Sequence, residues 1–227
     1  MKNLVILTGA GISAESGIPT FRGMKGMWEN VDIEKVATPQ GWKENKELVL
    51  RFYNDRRKHM VECKPNKAHL RLVDLEKVFN VNIITQNVDD LHDRAGSKNV
   101  LHIHGELTKS RSTLDPNLVY IIKGTELNLG DKCEKGSQLR PHIVWFYEDV
   151  PLFSEAMSIT KEADVFAVIG TSLVVYPAAS LLNFTKPETP IFVLDPSDLP
   201  LKKGITHLKE TAVNGIDQLI DLIMPYV

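Results

Sequence analysis

The first residues with a chemical signature form a glycine-rich turn that directly follows an apolar run near the start of the chain. Gly9, Ala10, Gly11 and Ser13 come after residues 4–8, which are almost wholly apolar. Glycines at such a turn let the backbone approach a pyrophosphate, and a following helix N-terminus offers free N–H groups to it. The pattern predicts a phosphate-bearing ligand, with a dinucleotide as the first hypothesis. A tight strand–helix turn without a ligand is the alternative.

Polar side chains follow a second apolar run. Gln86, Asn87 and Asp89 come directly after residues 81–85, which are expected to form a strand. Amides and a carboxylate at this place can hydrogen-bond ribose hydroxyls or orient a water molecule. Capping of a helix by Asn87 or Asp89 is the alternative, but their expected closeness to the glycine turn favours contact with a ligand.

Two histidines, His102 and His104, alternate within residues 101–106. In a strand, both side chains would point to one face. Gly105 is compatible with a turn that presents His104 to a cleft, where it would act as a general base near neutral pH. A metal site would need a third ligand, and none is near in sequence. A packed or surface histidine is the remaining alternative.

Tyr53 and Arg56 lie one helical turn apart and would share a helix face. A phenol and a guanidinium together bind a carboxylate well, whereas a solvated face with the tyrosine stacked on the arginine is the alternative. Residues 140–148 are apolar and aromatic. They fit either a core strand or an exposed strand edge that pairs with a bound extended peptide.

The elements that must position these residues indicate an α/β fold with a doubly wound parallel sheet. Four short apolar runs suit strands that are buried on both faces, namely residues 4–8, 81–85, 165–169 and 191–194. Each run ends in small or polar residues, where an open α/β sheet places its ligand. The spacing of apolar residues predicts three helices, over residues 44–60, 67–79 and 217–224.

Residues 106–140 differ from the rest, because they combine several glycines and a proline with many polar residues. Their one clear apolar run, residues 118–122, predicts a short strand. We interpret this stretch as a small inserted module.

Composition narrows the class of protein. The 227 residues carry a formal net charge of -2 at pH 7, which argues against a broad nucleic-acid-binding surface. Cys63 and Cys133 are the only cysteines, so neither a disulfide framework nor a zinc site of two cysteine pairs can be built. No apolar run approaches membrane-spanning length, and we expect no membrane partner, no signal peptide and a cytoplasmic location.

Taken together, several blocks of the chain resemble one family, the sirtuins, which are NAD-dependent protein lysine deacylases. The blocks follow the family's order and are highly specific in combination: residues 9–13, 16–22, 85–89, 91–96, 102–105, 141–146 and 170–172. The family's fold is a large Rossmann-like domain with a small, usually zinc-bearing module. The resemblance implies one catalytic domain of two lobes. The large lobe would comprise about residues 1–30, 80–105 and 141–227, and the small lobe about residues 31–79 and 106–140.

The resemblance also implies a role for each matching residue, with His104 as the general base and Asn87 beside it in catalysis. The positions that would bind NAD are Gly9, Ala10, Gly11, Ser13, Thr20, Phe21, Arg22, Trp28, Gln86, Asn87, Asp89, Gly170, Thr171, Ser172, Asp195 and Ala212. The positions that would pair with the substrate peptide around its acyl-lysine are Ile143, Val144, Trp145 and Phe146.

The implied reaction moves an acyl group from lysine to the ribose of NAD and yields free lysine, nicotinamide and O-acyl-ADP-ribose. Residues 37–39 and the pair Tyr53 and Arg56 resemble the subgroup that removes succinyl and malonyl groups, in which the pair binds the acyl carboxylate. We therefore expect a desuccinylase or demalonylase, with deacetylation as a further activity. The alternatives are a sirtuin-like NADase or ADP-ribosyltransferase and a non-catalytic NAD-binding sensor. An ordinary dehydrogenase fits least, because the acid expected after its second strand is missing.

Two positions depart from the family pattern. The zinc module usually has four cysteines in two close pairs, but Ser112 stands in the place of the first pair and only Cys133 remains near the second. One thiolate cannot make a structural zinc site, so we expect no bound zinc. Asp195 stands where the family often has an asparagine, and its carboxylate can still accept ribose hydroxyls. We expect a monomer that acts on acylated lysine peptides or proteins.

Overall fold

The computed structural model describes residues 1–20 and 32–227, which fold around two β-sheets. The strands in these ranges are β1 (Asn3–Thr8), β2 (Asn80–Thr85), β3 (Val100–His102), β4 (Gly105–Ser112), β5 (Val119–Ile121), β6 (Leu139–Ile143), β7 (Val165–Ile169), β8 (Ile191–Leu194) and β9 (Thr206–Leu208). The α-helices are α1 (Gly11–Ala14), α2 (Ile33–Val36), α3 (Pro39–Glu44), α4 (Lys46–Glu62), α5 (Lys67–Leu75), α6 (Leu91–Ala95), α7 (Phe153–Lys161) and α8 (Ala212–Ile223). Within the described ranges, no helix has the length and apolar character needed to cross a membrane.

The larger sheet has six parallel strands in the order β3-β2-β1-β7-β8-β9. β1 lies inside the sheet with β2 on one side and β7 on the other. The sheet therefore grows in opposite directions from β1, and the crevice between β1 and β7 is a topological switch point. The predicted α/β fold with a doubly wound parallel sheet is confirmed.

The central strands β1 and β7 are almost wholly apolar because helices cover both faces of the sheet. Every residue of β7 is buried, as are residues 4–8 of β1. On one face, α5 and α8 contribute apolar side chains to the core. On the other, α7 and the 3₁₀ helix Ala178–Phe184 do so.

The structure corrects the bounds of the predicted helices and the boundary between the lobes, and α4 spans Lys46–Glu62 rather than residues 44–60. α5 ends at Leu75 rather than at residue 79, and α8 begins at Ala212 rather than at residue 217 because Thr211 caps it through Asn214 N–H. α5 packs against α8 over the larger sheet, so it does not belong to the small lobe as predicted. An amphipathic stripe shows that a helix is half-buried, but not which sheet it covers.

The second sheet is small and antiparallel, in the order β5-β4-β6. β5 lies within the predicted run 118–122, whereas β6 includes residues 141–143, which the sequence assigns to the large lobe. A separate apolar cluster joins this sheet to α3 and α4, and its aromatic members are Trp42, Phe52, Tyr53 and Trp145.

A buried arginine fastens α4 to the small sheet. Arg57 is 1% exposed. Its Nε donates to Leu107 O at 2.6 Å, and its Nη1 donates to Thr125 O at 2.9 Å. Asn54, one turn earlier, receives a third bond from Arg57 and forms two bonds with the backbone of Leu127. Buried carbonyl oxygens need hydrogen-bond donors. In the loop that contains Thr125 and Leu127, the side chains of Arg57 and Asn54 provide the hydrogen bonds that a helix or sheet would otherwise supply.

We predict that Arg57→Met lowers the free energy of unfolding by about 2–3 kcal/mol, because it leaves buried carbonyl oxygens without a donor. Urea denaturation measures this. Arg51→Met removes an exposed arginine from the same helix and is the matched control, with an expected change within about 0.5 kcal/mol. Equal stability of the two variants would contradict the structural role of Arg57.

Three small side chains meet where the resemblance places the zinc module. Cys133 Sγ lies 3.4 Å from Ser112 Oγ and 3.2 Å from Ser137 Oγ, and the two hydroxyl oxygens are 2.7 Å apart. These contacts join the end of β4 to the loop before β6. Within residues 1–20 and 32–227, no three His, Cys, Asp or Glu side chains are grouped to hold a metal ion.

The expected absence of zinc stays a prediction, and it has a direct test. Metal analysis of the purified protein should find less than one zinc per chain, because two serine hydroxyls and one thiol do not provide the four nitrogen or sulfur ligands of a structural site. Treatment with a chelator should leave the melting temperature unchanged. One zinc per chain, or a lower melting temperature after chelation, would show that the module binds the metal after all.

Candidate active site

Four parallel strands of the larger sheet end at a common edge, and a predicted site residue follows each of them. Gly9 follows β1, Gln86 follows β2, Gly170 follows β7 and Asp195 follows β8. The parallel arrangement thus gathers segments from both ends of the chain. This edge is the place where an open α/β sheet binds its ligand.

The glycine turn after β1 packs directly on the turn after β7. Gly9 N–H donates to Ile169 O at 3.0 Å, and Gly11 N–H donates to Gly170 O at 2.8 Å. A Cβ added at Gly9 would lie 2.6 Å from the Thr171 Cβ. A Cβ added at Gly11 would lie 2.6 Å from the Gly170 Cα. The contact between the two turns therefore requires these glycines, in addition to any approach of a ligand.

A chain of buried hydrogen bonds connects the glycine turn with the polar residues after β2. Asn87 Nδ2 donates to Gly9 O at 3.1 Å and to Ser13 Oγ at 3.2 Å. Ser13, on the single-turn helix α1, donates in turn to Asp89 Oδ2 at 3.0 Å. The three side chains are at most 5% exposed, so their orientations are fixed by these bonds.

Asp89 makes the helix-end contact that is one of the two roles the sequence leaves open, and contact with a ligand stays a prediction. Its Oδ1 accepts the N–H of Leu91 at the start of α6 at 3.1 Å, which is a helix-capping contact. Burial raises the pKa of Asp89, and the hydrogen bonds from Leu91 and Ser13 oppose that shift. The carboxyl group is thus a structural acceptor that also borders the candidate site.

The imidazole of His104 is held by a backbone carbonyl at the same edge. Its Nδ1 lies 3.1 Å from Gln86 O. Because a carbonyl only accepts, we assign the ring hydrogen to Nδ1, and Nε2 keeps its lone pair. Burial lowers the pKa of His104 below its ordinary value, although the bond to Gln86 acts in the opposite direction. The ring is therefore neutral and basic at neutral pH.

The expectation that His102 and His104 share one strand face is wrong. β3 ends at His102, and the chain turns before His104. His102 Nε2 bonds to Asp93 Oδ2 at 3.0 Å. Burial acts to lower the pKa of His102, but the hydrogen bond that its ring donates to Asp93 and the charge of that carboxylate raise it overall. The two histidines therefore have separate environments, which shift their pKa values in opposite directions.

A cavity of about 350 Å³ opens beside this network. Its lining combines residues of the glycine turn, the segment after α1, the segment after β2, α4 and β4: Ala10, Ile18, Pro19, Asp55, Arg56, His59, Asn87, Val88, Asp89 and Leu107. Apolar walls with a few convergent polar groups are typical of a small-molecule site.

Tyr53 and Arg56 lie at different depths of the small lobe. Arg56 is half-buried at the wall of this cavity, and its Nη1 donates to Phe52 O at 3.1 Å. Burial lowers the pKa of Arg56 to about 10, which keeps the guanidinium charged at neutral pH. Tyr53 is 5% exposed, and its hydroxyl accepts Trp145 Nε1–H at 3.0 Å. The sequence predicts their shared face but not this difference in burial.

For residues 140–148 the sequence leaves two interpretations open, a core strand or an exposed strand edge, and the structure favours the core strand. β6 ends at Ile143, and Ile143 and Trp145 are buried in the apolar cluster of the small lobe. The backbone N–H groups of the next three residues are already bonded within the chain: Val144 to His104 O, Trp145 to Glu148 Oε2 and Phe146 to Ala37 O. A bound peptide would have to use carbonyl oxygens and side chains here, among them the half-exposed Phe146.

The predicted adenosine side lies at the ends of β7 and β8. Thr171 Oγ1 accepts Gln86 Nε2–H at 3.2 Å, which connects it to the segment after β2. Asp195 is 6% exposed, and its Oδ1 accepts Ser197 N–H at 2.9 Å. Ser172, directly after Thr171, is half-buried. The residues at this edge fit a dinucleotide, since hydroxyl and carboxylate groups lie at one end and a cavity with an amide and a carboxyl group lies at the other.

The remaining predicted positions lie at the margins of this edge. Ala212 is buried in the first turn of α8, and Thr20 is half-buried. Phe21, Arg22 and Trp28 lie outside the described residues, so their roles stay predictions.

Glu15 is a residue of this region that sequence reasoning misses. Its carboxylate accepts Val213 N–H at 2.9 Å and the Thr211 hydroxyl at 3.1 Å, so it caps α8 from the loop after α1. An acidic group is favourable at a helix N-terminus. No local pattern indicates the contact, because its partners are 196 and 198 positions away in the chain.

Sequence relatives place the chain among known enzymes. A protein named NAD-dependent protein deacylase from Helicobacter pylori is 55% identical over 222 residues, which cover 97% of this chain and 96% of that protein. A protein of the same name from Bacteroides thetaiotaomicron is 49% identical over 232 residues, with 99% of both chains covered.

Solved structures and a family model agree with these relatives. A Sir2 homologue in complex with ADP-ribose has a TM-score of 0.90 and 41% identity, covering 99% of this chain and 92% of that one. A Sir2 homologue in complex with NAD has a TM-score of 0.87 and 41% identity, covering 99% and 90%. The model of the Sir2 family matches residues 9–177. The predicted resemblance to the sirtuins is thus confirmed, and the chain belongs to the Sir2 family.

Proposed function

We propose that the chain is an NAD-dependent protein lysine deacylase, which releases free lysine, nicotinamide and O-acyl-ADP-ribose. The observation that carries this proposal is the position of His104. Its Nδ1 is bonded to Gln86 O, and its basic Nε2 has no partner among the described residues. The strand end that holds it also bears Asn87 and Asp89 at the wall of the cavity. A Sir2 structure with a deacetylated p53 peptide and 3'-O-acetyl ADP-ribose, 30% identical to this chain, supports the same substrate class.

Different residues of the chain have different roles around the bound NAD. The cofactor supplies the ribose carbon that receives the acyl oxygen when nicotinamide leaves. His104 Nε2 is placed to take a proton from a ribose hydroxyl, because the ring is neutral and its other nitrogen is fixed. Asn87 and Asp89 would border the nicotinamide of bound NAD, in orientations that Ser13 fixes. Because the groups of such a preorganised site are already oriented, they need no reorientation during the reaction.

Part of the cavity wall is apolar and consists of Ile18, Val88 and Leu107, which offer water no hydrogen bonds. Where bound NAD and the acyl-lysine cover this wall, water would be displaced, which favours transfer of the acyl group over hydrolysis of the reactive ribose.

We further propose that succinyl-lysine and malonyl-lysine are the preferred substrates. Arg56 provides a permanent cation at the cavity wall, and Tyr53 lies one helical turn before it. A guanidinium and a phenol both donate hydrogen bonds to a carboxylate, whereas an acetyl group offers no charge to them. Ala37 is small and buried beside these residues, in the apolar cluster of the small lobe.

The role of His104 has a kinetic test. His104→Ala should lower kcat for deacylation by about 10²- to 10⁴-fold, which is the usual contribution of a general base. In the unchanged protein, kcat/KM should fall as the pH drops through the pKa of His104, which burial lowers below its ordinary value, because only the neutral ring can accept a proton. Peptide deacylation is followed by mass spectrometry, and NAD binding by calorimetry.

Retained NAD binding by His104→Ala is the control that separates loss of chemistry from loss of the cofactor. If His104→Ala still deacylates the peptide at the normal rate, His104 is not the general base. Consumption of NAD by the unchanged protein without any change in the peptide would select the NADase alternative instead.

The acyl preference is tested with Arg56→Met. Desuccinylation should fall by about 10- to 100-fold, the effect of losing one charge-assisted bond, while deacetylation of the same peptide is largely kept. Arg51→Met, on the same helix but not at this cavity, is the matched control. Equal loss of both activities in Arg56→Met would reject the assignment of Arg56 to the acyl carboxylate.

A further inference from the structure

The side chain of Trp145 connects the apolar cluster of the small lobe with the phenol of Tyr53. The indole is buried, and its Nε1–H donates to Tyr53 Oη at 3.0 Å. The rings also pack together, with centroids 6.5 Å apart. Within residues 1–20 and 32–227, neither Trp145 Nε1 nor Tyr53 Oη has another hydrogen-bond partner.

The direction of this hydrogen bond determines how the hydroxyl group of Tyr53 is oriented. An indole N–H can only donate, so Tyr53 Oη must use a lone pair toward Trp145. The hydrogen of the hydroxyl is then directed elsewhere, and no described residue accepts it. A hydroxyl that accepts one hydrogen bond also becomes a stronger donor in a second.

Tyr53 keeps this hydrogen at all physiological pH values. Burial raises the pKa of Tyr53 well above its ordinary range, although the bond from Trp145 and the charges of Arg140 and Arg56 oppose that shift. The phenol therefore stays neutral and able to donate.

The indole itself is held rigidly from three sides. The guanidinium carbon of Arg140 lies 3.3 Å from the centre of its ring. Its own backbone N–H donates to Glu148 Oε2 at 2.8 Å, and Glu148 also receives two bonds from Arg140, of 2.6 and 3.0 Å. Trp42 packs against the indole with a centroid distance of 5.8 Å. A side chain held in this way can determine the orientation of a hydroxyl next to it.

We infer that Trp145 is a positioning residue for acyl selectivity: its indole N–H sets Tyr53 as an obligatory donor, which favours an acyl group ending in a carboxylate. The inference rests on the proposed acyl preference and adds a residue to it. An ionised carboxylate only accepts hydrogen bonds and therefore matches the fixed donor. In this arrangement, Trp145 acts through Tyr53 and need not touch the acyl group itself.

The test compares one peptide carrying either succinyl-lysine or acetyl-lysine. Trp145→Phe should lower the ratio of kcat/KM for the succinyl over the acetyl peptide by about five-fold, the usual effect of one neutral hydrogen bond. In a Tyr53→Phe background the same change should have no further effect on the ratio, because the hydroxyl is already absent. A purely structural role of Trp145 would lower both activities together and would be additive with Tyr53→Phe.

Trp42→Phe is the matched control, since it removes the same atoms from a neighbouring indole of the same cluster but keeps the bond to Tyr53. Its succinyl-to-acetyl ratio should equal that of the unchanged protein. If Trp145→Phe does not fold, benzothienylalanine at position 145 replaces the N–H by sulfur in a ring of nearly the same shape, and the same fall in the ratio is expected.

The outcomes separate this inference from the proposal beneath it. An unchanged ratio in Trp145→Phe, or an equal fall in the presence and absence of the Tyr53 hydroxyl, would overturn the role of Trp145 alone. Absence of desuccinylation in the unchanged protein would overturn the acyl preference and this inference together.

Discussion

The close contact between the turns after β1 and β7 is the constraint on which the candidate site depends. Gly9 and Gly11 lie so near to Gly170 and Thr171 that a single added Cβ would collide with them. The turns that follow two parallel strands can approach each other this closely only if their residues carry little or no side chain. The contact fixes the position of Ser13, and through Ser13 it fixes the polar residues that follow β2.

Polar groups at this edge are oriented by a chain of hydrogen bonds with one donor-to-acceptor direction. Asn87 donates to Ser13, and Ser13 donates to Asp89, so each hydrogen has a defined place. Around Trp145, a comparable set of bonds runs from Arg140 to Glu148 and from the indole to Tyr53. In a buried environment an unsatisfied polar group is costly, so such chains allow few alternative arrangements. The two networks lie in different lobes, and Asn87 and Asp89 of the first line the cavity beside α4.

The small lobe shows how side chains can connect backbone segments that have few hydrogen bonds of their own. Arg57 and Asn54 bond to carbonyl and N–H groups of residues 125–127, and the contacts of Ser112, Cys133 and Ser137 join the end of β4 to the loop before β6. These residues are spread over four segments of the chain. Their contribution to stability comes from satisfying buried groups, since exposed ion pairs contribute little.

The sequence alone determined the sheet and the general place of the site, because buried parallel strands are apolar runs and ligands bind where such runs end. It also identified the family, since the glycine turn, the segment after β2 and the region of His104 are contiguous blocks. Tertiary structure decided which sheet α5 covers, how His102 and His104 differ, and that the backbone N–H groups of residues 144–146 are already bonded. It also revealed Glu15 at α8 and the bond from Trp145 to Tyr53. These features join residues far apart in the chain, and hydrogen-bond partners that meet only after folding leave no periodic or local pattern in the sequence.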